Sequence, residues 1–160
     1  MRAVQLASLI GFGLAGFFLA APRLNRLNLA DALSLLLSVH VFRVVALFVI
    51  QAQHDGYQIS NTAVTEIVVG DLAGAAIAAV SIMLLRKGAR LGVLLSWLLI
   101  FETVIDIAVG IHRKVLEPIR VGVAGPLWPV LAVFVPLMIV TLPLLAWQLI
   151  TRGKDSLSNT

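Results

Sequence analysis

Glu102 and Asp106 stand four residues apart in "LSWLLIFETVIDIAVGIH", residues 95–112, a run dominated by Leu, Ile and Val. On a helix, positions i and i+4 share a face, so both carboxylates point the same way out of an oily stretch. Carboxylates in such a setting hold protons, bind cations or pair with a base. Two more acids, Glu66 and Asp71, lie in "TEIVVGDLAGAAIAAV", and one strong base, Arg43, lies in "LLLSVHVFRVVALFVI" with His40 three residues before it. At about 100° per residue, His40, Arg43, Leu47, Gln51 and His54 fall on one stripe. His40, Arg43, Glu66, Asp71, Glu102 and Asp106 are therefore the candidate ligand- or proton-binding residues, and no catalytic residue is assigned.

Magnitude makes the set worth attention. A charged side chain at the centre of a bilayer costs about 2.5–3.5 kcal/mol on insertion scales, which an apolar replacement would avoid. Pairing offsets part of this, with Arg43 bidentate to a carboxylate. The charges still do not balance. Four acids against one arginine leave −3, and a protonated His40 leaves −2. Protons on the carboxyls, water in a cavity open to the outside, or a bound cation must supply the rest. The residues thus predict an intramembrane polar cavity for a small molecule, lipophilic ligand or ion, with binding or transport linked to carboxyl protonation.

Two other readings stay open. One is an accessory or assembly subunit, as a homo-oligomer or within a larger membrane complex, whose polar cluster pairs with another membrane protein. The other is a membrane enzyme of isomerase or hydrolase type acting on a lipophilic substrate, with a carboxyl as general acid and His40 as base. Haem is not expected, because His54 and His112 lie at the outer edge while His40 is mid-membrane. No Glu-x-x-His pair of the di-iron kind occurs, so neither a metal nor any cofactor is expected. Cysteine is absent, which removes thiolate chemistry and disulfides. There is no phosphate loop, no Ser–His–Asp signature and no nucleic-acid module. In architecture alone the chain resembles the sterol-isomerase and sigma-receptor-like proteins and the DoxX-like proteins, with no motif matched and no residue role implied.

The elements that must position these groups follow from composition. The chain has 160 residues, 60% of them hydrophobic and 12% charged, about half the charge of a soluble domain. Lipid is the solvent that such a surface demands, which makes the bilayer the first partner. Apolar runs of membrane-crossing length occupy about 3–21, 29–52, 63–85, 91–112 and 121–150. The expected fold is an all-α integral membrane protein, a compact bundle of about five transmembrane helices. Residues 1–150 form one domain and 151–160 a short polar tail. In the last run Pro136 and Pro143 predict kinks, "GPLWP" an irregular start, and Trp128 and Trp147 interfacial anchors. The seam "GDLAGAAIA" reads as close helix packing through Gly70 and Gly74.

Orientation comes from the basic residues. Arg23, Arg26, Arg86, Lys87, Arg90, Arg152 and Lys154 fall on one side, and Arg2, Arg113, Lys114 and Arg120 on the other. Seven against four puts the C-terminus in the cytoplasm and the N-terminus outside, in a multi-pass protein of the cell (inner) membrane. The first run also has the look of a signal peptide, but the charge count favours its retention as a span. With alternating direction, Arg43 and the four acids come to similar depths in the outer half, with His40 just below.

Overall fold

The computed structural model describes residues 2–116 and 127–153. Every element among them is helical. Five helices are long and apolar enough to cross a membrane: α1 (Ala3–Leu24), α2 (Leu29–His54), α3 (Asn61–Arg86), α4, whose apolar part is Leu91–Gly110, and α5 (Leu127–Arg152). The expected start of the last run at 121–126, the tail beyond Gly153, and the side chains of Arg2, His112, Arg113, Lys114 and Arg120 lie outside what is described.

Local chemistry explains where the helices begin and end. Asn28 caps α2, accepting the Asp31 amide at 2.8 Å and donating to the Asp31 carboxylate, also at 2.8 Å. Ser60 caps α3 through the Ala63 amide. Each of these bonds satisfies a donor that the first helical turn leaves without a partner. At the other ends, Gly56 and Gly88 take positive φ values of 91° and 69°. At each, the glycine's own amide and the next one turn back to the last helical carbonyls: Gly88 to Leu85 and Ala89 to Leu84, Gly56 to Gln53 and Tyr57 to Ala52. A residue with a Cβ is strained in that left-handed position, so glycine closes both turns.

Short connections make sequence neighbours into spatial neighbours. Helix α3 packs against both α2 and α4, and α5 closes the ring by packing on α2 and α4. The apolar core runs through this four-helix ring, with Leu33, Leu37, Ala78, Leu99 and Leu145 wholly buried. Helix α1 stands outside the ring on α5. Gly16 lets it come close to Val140 and Leu144, Gln5 donates to the Leu131 carbonyl at 3.0 Å, and Gln148 donates to Asn25 at 2.9 Å.

The winding of α2 and α5 is uneven. Residues Phe42–Leu47 of α2 form a 3-10 stretch, and Val130–Phe134 of α5 a π stretch. The π stretch directly precedes Pro136, and α5 continues in helical turns through Pro136 and Pro143. A wide turn of this kind lets a later amide reach a carbonyl that proline, having no N–H, leaves without its donor. The 3-10 stretch corrects the expected stripe on α2. Of its five members only His40 and Arg43 are buried, whereas Leu47, Gln51 and His54 are exposed. The buried face is instead His40, Arg43, Ala46, Val49 and Ala52, spaced by three. Three residues per turn is the repeat of a 3-10 helix, and it swings the later positions away from the line that 3.6 residues per turn predicts.

Candidate functional site

The centre of the candidate site is the Arg43 guanidinium, which is wholly buried. Its three nitrogens go to three different carboxylates on two helices. Nε donates to Asp71 Oδ1 of α3 at 2.7 Å, Nη1 to Glu102 Oε2 of α4 at 2.7 Å, and Nη2 to Asp106 Oδ2 of α4 at 2.9 Å. Nη1 also donates to Thr103 Oγ1 at 3.0 Å, and the Thr103 hydroxyl passes its hydrogen to Glu102 Oε2 at 3.1 Å. The planar fork of donors suits this arrangement, since it spreads fixed N–H groups toward four acceptors, whereas an ammonium has three donors on one atom.

Two glycines make the room. A Cβ on Gly74 would fall on the Arg43 guanidinium, against Nη1, Cζ and Nε. A Cβ on Gly70 would come within 2.9 Å of Asp106 Oδ1. The seam that reads as plain helix packing in the sequence is thus also the floor of the charged cluster. Gly70, Asp71 and Gly74 follow one another closely on α3, so the same turn supplies a carboxylate and the space for its partner.

Four of the six candidates come together: Arg43, Asp71, Glu102 and Asp106. Glu66, half-buried and five residues before Asp71 on α3, is not one of the three carboxylates on Arg43. His40 is wholly buried one turn from Arg43 but is bonded to α5, with Nε2 3.0 Å from Thr141 Oγ1. The Thr141 hydroxyl gives its single hydrogen to the Met138 carbonyl at 2.8 Å. His40 Nε2 is therefore the donor of the pair, and Nδ1 carries the lone pair. That atom is buried without a partner among the described residues.

The charge of the cluster is unequal. Three ionised carboxylates and one guanidinium sum to −2. The acids are not sealed in as Arg43 is: the side chains are 19% exposed for Asp71, 18% for Glu102 and 34% for Asp106. Each carboxylate thus spends one oxygen on the guanidinium and retains an open flank. Among the described residues no group of three or more His, Asp or Glu is arranged to hold a metal ion. The arrangement is suited to small positive species that approach the open flanks, a proton first among them.

The sequence does not mark Thr103 or Thr141 as site residues, and it reads Gly70 and Gly74 as helix packing alone. Thr103 gives no signal of its own beyond its place beside Glu102. The two glycines had one, a spacing of four around Asp71, which packing alone also explains. Thr103→Val should lower stability by about 1–3 kcal/mol, because a buried N–H of Arg43 and an oxygen of Glu102 both lose a partner. Thr103→Ser should restore most of it. Unfolding titrations in mild detergent check this, and a valine variant as stable as wild type would remove Thr103 from the cluster.

Among known proteins, no curated protein and no solved structure matches the chain. A family model does, over residues 2–150, under the description "Domain of unknown function (DUF8737)". That match covers nearly the whole chain, and the protein belongs to this family.

Proposed function

We propose that this is an integral membrane protein with five spans, an extracytoplasmic N-terminus and a cytoplasmic C-terminus. In this reading residues 1–150 form a single membrane domain, 151–160 a cytoplasmic tail, and the membrane is that of the cell (the inner one where there are two). The Arg43 cluster is a binding site for a positively charged species, a proton or a small cation, in the outer half of the bundle, and serves binding or transport linked to carboxyl protonation. One observation carries the reading: a wholly buried guanidinium is surrounded by more carboxylate charge than it can neutralise, and the surplus oxygens are the part left accessible. A bare −2 in a region of low dielectric is costly, so a proton or cation is the expected complement. Arg43 then acts as the fixed counter-charge that holds the carboxylates in place while occupancy of the open flanks changes.

The test uses protons and Na⁺ as probes on protein in lipid nanodiscs. Infrared difference spectra across a step from alkaline to neutral pH should show carboxylate bands converting to carboxylic acid bands. Asp106→Asn, at the most open of the three acids, should remove part of that signal while leaving the fold intact. Na⁺ titrations should compete with the proton signal if the site takes either. Three carboxylates that remain ionised throughout and bind neither probe would sink the reading.

The assembly-subunit reading draws on a different feature. Ala3, Ala7, Gly11 and Ala15 of α1 recur every four residues, are all exposed, and nothing lies within 4 Å of a Cβ on Gly11. Such a stripe allows close approach of another helix. The enzyme reading has less support, because His40, its base, is wholly buried and bonded to Thr141.

A further inference from the structure

Away from the charged cluster, a cleft of about 390 Å³ opens between α1 and α5. Gly13 and Phe17 line it from α1, and Val140, Pro143, Leu144 and Trp147 from α5. The two helices meet where Gly16 faces Val140, and beside that contact nothing lies within 4 Å of a Cβ on Gly13, so the cleft is open there for want of a side chain. Its α5 wall, from Val140 to Trp147, is about 10 Å long at the rise of a helix.

Charge along this helix pair is one-sided. Neither Ala3–Leu24 nor Leu127–Arg152 contains an Asp or Glu. Within the two spans the basic residues, Arg23 and Arg152, stand at one end, and there Arg23 and Arg26 are exposed. A clasp fixes them there. Arg152 donates to the carbonyls of Leu24 at 3.3 Å and Leu27 at 2.8 Å and to Gln148 at 3.0 Å, while Gln148 donates to Asn25. The turn that bears Arg23 and Arg26 is thereby held against the end of α5, just beyond Trp147.

We infer that this cleft is a binding site for an anionic phospholipid, with an acyl chain along Phe17, Leu144 and Trp147 and the phosphate at Arg23 and Arg26. An apolar cleft between spanning helices with basic residues at its cytoplasmic end combines chain burial with headgroup attraction, and each basic residue near the surface adds to the preference for anionic lipid. The zwitterionic lipids have the same chains and lack the net charge, so discrimination rests on the arginines.

Trp147 is a built-in reporter. In a Trp97→Phe, Trp128→Phe background it is the only tryptophan, and acyl chains carrying bromine quench it on contact. In nanodiscs, brominated phosphatidylglycerol should quench Trp147 at a mole fraction on the order of tenfold lower than brominated phosphatidylcholine. Arg23→Gln with Arg26→Gln should bring the two lipids to parity. Gly13→Leu should fill the cleft and weaken quenching by both. Equal quenching by the two lipids in the arginine-bearing protein overturns the inference, as does a phosphatidylglycerol preference that survives loss of both arginines. The inference rests on the five-span reading, and the failures are distinct. A chain that does not insert into discs overturns the spans and the lipid site together, whereas one that inserts and shows no preference overturns the lipid site alone.

Discussion

Arg43→Met should be the most damaging single substitution in the chain, with a loss of about 3–5 kcal/mol that amounts to failure to accumulate folded protein. The reason is electrostatic rather than a matter of volume. Methionine fills much of the same space, but Asp71, Glu102 and Asp106 lose the guanidinium to which all three are bonded. They are left close together in a region where carboxylate repulsion is poorly screened. Arg43→Lys should recover only a part, because one ammonium cannot serve three carboxylates from three directions and also Thr103. The decisive measurement is rescue. Combining Arg43→Met with Asp71→Asn, Glu102→Gln and Asp106→Asn removes both sides of the interaction and should restore folded yield toward wild type. A quadruple variant as unstable as Arg43→Met would mean that the arginine acts through packing, and that the charge account of the cluster is wrong.

Gly74→Ala should come next. A single methyl there occupies the position of the Arg43 guanidinium, so either the fork of bonds opens or α3 withdraws from α2. Overpacking of this kind costs about 1–3 kcal/mol, and the lost bonds to charged groups add to it. Gly11→Ala is the control. Nothing lies within 4 Å of its Cβ, so it should be neutral or stabilise by up to about 1 kcal/mol through helix propensity. The two effects can be tied to one cause by a double-mutant cycle. In the quadruple variant, which is expected to fold without the guanidinium, Gly74→Ala should then cost less than in wild type, a coupling that independent sites do not show. Additive losses would place the effect of Gly74 elsewhere in the helix seam. The same logic makes Gly70→Ala a milder case, since its Cβ meets the Asp106 carboxylate, nearest at Oδ1 at 2.9 Å, and not the guanidinium.

What the sequence by itself determined is the number of long apolar helices and the chemical types in the cluster. Apolar runs long enough to cross a bilayer can satisfy their backbones there only as helices. The boundaries at Asn28, Ser60, Gly56 and Gly88 could be read from capping and turn chemistry, since each acts within a few residues of chain. The surplus of acid over base needed no coordinates either, being a matter of counting. Tertiary structure alone decided who meets whom. Helices that are apolar on all sides carry no amphipathic stripe to mark the inward face, so the position of α1 outside the ring, or of His40 against Thr141 rather than the acids, left no trace in the hydrophobic pattern. The α2 face depended on winding. Projection at 3.6 residues per turn ran it through Leu47, Gln51 and His54, but the 3-10 stretch at Phe42–Leu47 carried it through Ala46, Val49 and Ala52 instead. Gly74 and Arg43 lie thirty-one positions apart, and only the packing of α2 on α3 reveals that the missing side chain of one is the space occupied by the other.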